Sequence, residues 1–152
     1  MNSAVNRMKV NIKKVKDGAV VPTYGSAFAA GADLYACLDS EVTIAPHATV
    51  MIPTGLVMEL PTGYAGLIYA RSGLATKKGL APANKVGVVD SDYRGEVMVA
   101  LHNHGEIAQT VGNGERIAQM VITPYLAAEF VLADELSDTV RGTGGFGSTG
   151  SK

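Results

Sequence analysis

The chain has no tryptophan, one cysteine and no excess of either charge, and each absence narrows its chemistry. Cys37 alone cannot build an internal disulfide framework, which fits a reducing compartment and a role as a small core residue. Thirteen Lys and Arg against 14 Asp and Glu leave a net charge of −1, too little of either sign to hold nucleic acid or a membrane surface. Any anionic ligand must be held by a few placed cations. No apolar run is long enough for a membrane span or a signal peptide, although Arg7, Lys9, Lys13, Lys14 and Lys16 make the beginning of the chain basic. The expected location is cytoplasmic. At 152 residues the chain is one domain's worth and buries about two-thirds of its surface on folding, with no need of a disulfide or metal.

What is present in quantity is glycine, 18 residues of it, with six prolines among many valines and alanines, a mixture that favours short strands and tight turns. Strands are expected at 10–15, 33–37, 41–44, 49–52, 56–60, 64–70, 86–89, 97–101, 107–111, 114–122 and 125–132, from apolar alternation broken by turn residues. Pro53-Thr54-Gly55 reads as a break between two strands and Gly112-Asn113-Gly114 as a hairpin-type turn. One helix is expected at 72–79, with Ser72 as N-cap, Lys77 and Lys78 suiting its C-terminal dipole and Gly79 as the stop. No internal repeat is visible. The pattern is that of an all-β sandwich, jelly roll or barrel of about a dozen short strands. From Thr139 the chain is too rich in glycine to fold alone, so residues 1–137 form the domain and 138–152 a mobile tail that orders on something else.

The stretch 84–99 concentrates an apolar run, acids, an aromatic and a reversal, and reads as a β-hairpin carrying a site. Asp90, where the run meets the turn, is either a turn former or a carboxylate held against apolar walls, where it would be a better base. Arg71-Ser72-Gly73 at the helix start combines a guanidinium fork, a hydroxyl and first-turn N–H groups. It suits a phosphate, or is an ordinary cap beside a surface arginine. Arg116 and Gln119 add a polar pair on an apolar strand, and Asp33 is a turn residue or a holder of hydrated Mg²⁺. Gly145-Phe146-Gly147-Ser148-Thr149-Gly150 spells G-x-G-x-x-G, but no βαβ unit surrounds it, and Ser151 stands where a Walker motif needs lysine. The tail is thus either disordered and polar or an anion clasp, with Arg141 as charged donor and Phe146 as stacking face. His102 and His104 share a strand face without a third ligand nearby, a structural pair, and His47 is a turn residue.

Five ordered motifs carry a resemblance across nearly the whole chain. They are Ala30-Gly31-Ala32-Asp33-Leu34-Tyr35-Ala36, Arg71-Ser72-Gly73-Leu74-Ala75, Gly87-Val88-Val89-Asp90-Ser91-Asp92-Tyr93-Arg94-Gly95, Gly114-Glu115-Arg116-Ile117-Ala118-Gln119-Met120-Val121-Ile122, and the tail from Arg141 to Gly150. Together they resemble the trimeric dUTP pyrophosphatases (dUTPases) of the bacterial type. The resemblance implies a distorted β jelly roll, a homotrimer with active sites at subunit interfaces, and Mg²⁺-dependent cleavage of dUTP to dUMP and pyrophosphate. It implies that the backbone of Gly87, Val88, Val89 and Met98, with the Asn84 side chain, reads uracil, and that Tyr93 stacks under deoxyribose. Asp90 would be the general base, with Gln119 holding the water. Arg71, Ser72, Gly73, Arg116 and Arg141 would bind phosphates, and Asp33 would hold Mg²⁺ through water. Phe146 would close over the base of a neighbouring subunit's site, with Gly147, Ser148 and Thr149 on the γ-phosphate. The rivals are a dCTP deaminase, against which Tyr93 and its turn argue, and a nucleotide-binding trimer without turnover.

Overall fold

Eleven strands and one short helix form among residues 5–150, the part of the chain that the computed structural model describes. In order they are β1 (Asn11–Lys14), β2 (Thr23–Tyr24), β3 (Ala32–Tyr35), β4 (Val42–Ile44), β5 (Thr49–Glu59), β6 (Tyr64–Tyr69), α1 (Ser72–Lys78), β7 (Leu80–Pro82), β8 (Gly87–Val89), β9 (Glu96–Asn103), β10 (Gln109–Val111) and β11 (Arg116–Pro124). They make a four-stranded sheet β1-β5-β9-β7, a five-stranded sheet β2-β3-β11-β6-β8 and a two-stranded ribbon β10-β4. One core joins all three, with Leu34, Ile44, Ile52, Leu56, Leu101, Val111 and Ile117 fully buried within it. Each such aliphatic side chain contributes about 1.5–3 kcal/mol by leaving water. The arrangement is the distorted jelly roll expected from the motifs, and Cys37 is indeed a small buried core residue.

The period-2 alternation is clearest in β9, where Val97, Val99 and Leu101 are buried and Met98 is exposed on the opposite face. The helix falls where the sequence places it, and Gly79 closes it in the left-handed region at φ 65°, donating its N–H to the Ala75 carbonyl. Its N-cap, however, is Arg71 in extended conformation, with Ser72 as the first helical residue and no side-chain capping bond. The Ser72 hydroxyl therefore sits one residue too late to cap.

Four other expectations are corrected. The residues Pro53-Thr54-Gly55 do not end a strand: β5 runs through them with a register shift between Pro53 and Val57. Gly55 bulges there at φ 69° and donates its N–H to Glu96 Oε1 at 2.7 Å, while buried Thr54 donates to the Val97 carbonyl at 2.6 Å. Neither is 84–99 a ladder hairpin, because β8 pairs with β6 in one sheet and β9 with β5 and β7 in the other. The turn 112–114 likewise passes from the ribbon to the five-stranded sheet, tied down by the Leu38 N–H donating to Asn113 Oδ1 at 2.9 Å. Turn residues mark a reversal equally well within a sheet and between sheets. Finally, 125–132 forms no strand: Leu126, Phe130 and Leu132 are more than nine-tenths exposed, since no free edge of the same chain receives them. The short strands β2 and β7 lack the length to show in the sequence.

A single buried amide ties this end of the barrel-less sandwich together. Asn103 Nδ2 donates to the carbonyls of Ile44 and Ile107 at 3.0 and 2.8 Å, and Oδ1 accepts from the Gly105 N–H at 2.9 Å. Asn103→Ala should cost about 3 kcal/mol, because it strands buried polar groups at about 1–3 kcal/mol each. Urea unfolding followed by circular dichroism measures the loss, and a cost below about 1 kcal/mol would show that water replaces the amide.

Candidate active site

Because β8 and β9 lie in different sheets, a cleft opens between them. β8 is the edge strand of its sheet, and the β7 side of β9 is paired only from Ala100 onward. Backbone groups on both strands thus lack ladder partners. The cavity between them, about 240 Å³, is lined by Met51, Ile68, Asn84, Gly87, Val88, Val89, Asp90, Tyr93 and Met98. Gly87 leaves room there, since a Cβ would come within 3.2 Å of Asn84 Nδ2 and 3.3 Å of Ile68 Cβ. Asp90 stands exposed at the rim and its carbonyl accepts the Tyr93 N–H at 3.2 Å. The Tyr93 hydroxyl donates to the Glu96 carbonyl at 2.9 Å, which lays the ring over Gly95.

A second, polar pocket of about 180 Å³ lies beyond the other end of β6 and is lined by Gly25, Ala29, Gly31, Asp33, Arg71, Ser72, Gly73 and Gln119. Its two guanidinium groups share a single carboxylate, which leaves one positive charge uncompensated. Asp33, nearly buried on β3, accepts from Arg71 Nε at 2.8 Å and from Arg116 Nη1 at 3.5 Å. Antiparallel pairing of β3 with β11 sets Gln119 opposite Asp33, and Gln119 Nε2 donates to the Ala70 carbonyl at 2.9 Å. Gly31 makes this possible, because a Cβ there would overlap the Gln119 amide and lie 3.0 Å from Cδ. The buried amide expected to need partners has one.

The structure therefore gathers the sequence candidates into two groups, Asn84, Gly87, Val88, Val89, Asp90, Tyr93 and Met98 in one and Asp33, Arg71, Ser72, Gly73, Arg116 and Gln119 in the other. It does not bring the tail to either. Arg141 Nε donates to the Gly144 carbonyl at 2.7 Å, Phe146 is fully exposed, and Gly147, Ser148 and Thr149 continue a run of tight turns. Ser151 lies outside the described residues. Met51 and Ile68 line the first cavity without having been singled out, being ordinary strand residues in the sequence; Gly25 and Ala29 likewise line the second. His102 and His104 meet edge to face at 4.5 Å, and His102 Nδ1 bonds the Thr49 hydroxyl at 2.8 Å. Loss of water around the His104 ring, then the Lys85 charge and the neighbouring imidazoles, push its pKa below the usual histidine range. His47 sits in a turn at φ 59° and pairs with Glu106 at 3.0 Å.

One jelly roll thus carries both a cleft edged by free backbone groups and a polar pocket that holds Arg71 against Asp33. A dUTPase family model matches residues 17–150, and the chain belongs to that family. It is 56% identical over 149 residues to a deoxyuridine 5'-triphosphate nucleotidohydrolase of Desulfitobacterium hafniense (strain DSM 10664 / DCB-2), covering 96% of this chain and 99% of that protein. A protein of the same name from Hydrogenobaculum sp. (strain Y04AAS1) is 49% identical, with 95% and 100% covered. Among solved structures, the G164S dUTPase of Staphylococcus bacteriophage 80alpha with dUpNHpp superposes with a TM-score of 0.86 at 26% identity, covering 93% of this chain and 98% of that one.

Gly31→Ala should push Gln119 off the Ala70 carbonyl and out of the polar pocket. Titration calorimetry with inorganic pyrophosphate should then show about tenfold weaker binding, the loss of one hydrogen bond to a charged group, at unchanged circular dichroism. Equal affinity would remove Gln119 from the anion site.

Proposed function

We propose that the two pockets divide one substrate between them, the cleft taking uracil and deoxyribose and the polar pocket the triphosphate. The chain hydrolyses dUTP to dUMP and pyrophosphate, the reaction of its family. Uracil presents acceptor, donor and acceptor, which the free backbone edges near Val88, Val89 and Met98 pair as an added strand would, with Asn84 assisting. Cytosine presents the wrong polarity and strands buried groups at about 1–3 kcal/mol each. The narrow cleft excludes the thymine methyl, and Tyr93 under the sugar leaves no room for a 2'-hydroxyl.

Asp90 orients a water and takes its proton as the oxygen attacks the α-phosphorus; pyrophosphate leaves. Gln119 holds that water; Arg71, Ser72 and Gly73, with Gln119 as well, bind phosphate oxygens, and Arg116 offsets their charge. Mg²⁺ fits this site as an ion carried in by the triphosphate rather than as a resident metal. Asp33 is a lone carboxylate between two guanidinium groups, and no cluster of three ligand side chains occurs among the described residues. Its remaining lone pairs can accept from a metal-bound water. When bound, the ion neutralises phosphate charge. The phi11 phage dUTPase, which shares this fold at a TM-score of 0.77 and 20% identity, is described with a structural Mg(II) ion.

The spacing along β6 is the observation that supports a shared site most directly. Val89 lies opposite Gly66, whereas Arg71 comes five residues later, past the far end of the same strand, about 16.5 Å away at about 3.3 Å per residue. One nucleotide does not span that from base to α-phosphorus. Asp90 of one copy therefore works with Arg71, Ser72 and Gln119 of a second. The arm that follows β11 exposes Leu126, Phe130, Leu132 and Leu136 with nothing of its own chain to cover them, which supports its crossing to a neighbour. The assembly is a homotrimer, with Arg141 and Phe146 of the tail closing a neighbour's site and Gly147, Ser148 and Thr149 on the γ-phosphate.

Asp90→Asn should leave dUTP affinity nearly unchanged and lower turnover by about three powers of ten, measured by pyrophosphate release; retained turnover excludes Asp90 as the base. Ending the chain before Arg141 should give a trimer by sedimentation with little activity. A monomer at micromolar concentration contradicts the shared site, and full activity of the trimer contradicts the closing tail.

A further inference from the structure

We propose that Arg94, braced by Glu59, is a positioning residue that fixes the Asp90–Tyr93 turn and so sets the discrimination between deoxyribose and ribose; this rests on the cleft being the nucleoside site. Arg94 Nη1 donates to two carbonyls of the turn, Ser91 at 2.7 Å and Tyr93 at 3.0 Å, while Nη2 reaches Glu59 Oε1 at 3.4 Å. Glu59 ends β5, and its other oxygen accepts from Asn11 Nδ2 of β1 at 3.1 Å. The guanidinium thus bolts a turn between two sheets onto the end of a third element. Lysine has three donors but places them on one nitrogen at the end of a flexible stem, so it lacks the rigid fork that holds the two carbonyls and the carboxylate in a fixed geometry.

Behind the turn, beside Arg94, the structure is open. A polar cavity of about 370 Å³ lies there, lined by Lys9, Asn11, Glu59, Thr62, Asp92 and Arg94 among others, so the turn has open space to sink into if the brace is lost. The front is tightly fitted by contrast. Tyr93 is held through its hydroxyl to the Glu96 carbonyl, and its ring lies so close to Gly95 that a Cβ there would be 2.8 Å from Cε2. The side chain of Glu96 in turn accepts the Gly55 N–H at the β5 bulge, so the turn is fastened to β5 at both ends. Arg94 and Glu59 are each more than half exposed, and such a pair adds little to stability. Its contribution is geometric. A small shift of the Tyr93 ring opens room beneath the sugar, and displacements of this size change rates strongly without unfolding anything.

The test compares kcat and KM for dUTP and for UTP in the full-length protein and in Arg94→Ala, Arg94→Lys, Glu59→Gln and Gly95→Ala, with melting temperature and sedimentation alongside. The dUTP to UTP ratio of kcat/KM should fall about tenfold in Arg94→Ala, fail to recover in Arg94→Lys and fall in the same direction in Glu59→Gln. Gly95→Ala, which displaces the ring without touching the brace, should reproduce the loss even if Arg94→Ala folds poorly. A brace that served only stability would lower both substrates equally, so a ratio within about twofold of the parent protein in the folded Arg94 variants overturns the proposal. A parent protein that does not prefer dUTP to UTP overturns the nucleoside reading of the cleft and the brace with it.

Discussion

Backbone groups on β8 and β9 that face the cleft have no ladder partner, because residues 90–95 carry the chain from the five-stranded to the four-stranded sheet instead of folding it back. Main-chain N–H and C=O groups shut away from water and from each other are costly, and nearly all proteins pair them. Here they are left at an accessible cleft, where a planar ligand with a matching edge can take the place of a strand. Gly87 beside Asn84 and Ile68 keeps that cleft open, since a Cβ there would crowd both.

The polar pocket obeys a different constraint. With almost no net charge on the chain, its two guanidinium groups are held against a single carboxylate, Asp33. Arg71 and Asp33 are little exposed, so removing either leaves an uncompensated charge, whereas Arg116 joins them from a half-exposed position. On the proposed reading, an arriving polyphosphate meets donors that this carboxylate already aligns. Pairing of β3 with β11 brings Asp33 and Gln119 side by side from residues far apart in sequence.

How much of this was legible in the sequence depends on the range of the interaction. The helix with its Gly79 stop, the alternation of Val97, Val99 and Leu101 and the burial of Cys37 are local or compositional, and they are found where the residues imply. The motifs contain most of the residues lining the two pockets, with Met51, Ile68, Asn84 and Met98 of the cleft and Gly25 and Ala29 of the polar pocket lying outside them. What the residues do not carry is which sheet a turn leads to: Gly112-Asn113-Gly114 and Asp90-Ser91-Asp92 have hairpin chemistry, yet both pass between sheets because their partner strands are fixed by distant segments. The apolar run 125–132 has a strand's composition but pairs with no strand among the described residues. Met51 and Ile68 could not be told from core residues, since their place beside the cleft is set by tertiary packing alone.

Reading a base with the backbone of an edge strand also decides what can vary. Val88 turns its side chain to solvent and Met98 is likewise exposed, so either can be exchanged without altering which hydrogen-bond groups the main chain presents. On the reading proposed above, base specificity is insulated from substitution at the residues that border the base. It is sensitive instead to residues that steer the chain's path, above all the glycines at 55, 87 and 95. Drift in the sequence of this cleft can be wide while its chemistry stays fixed, and a change of base preference would require rerouting the strand rather than replacing a side chain.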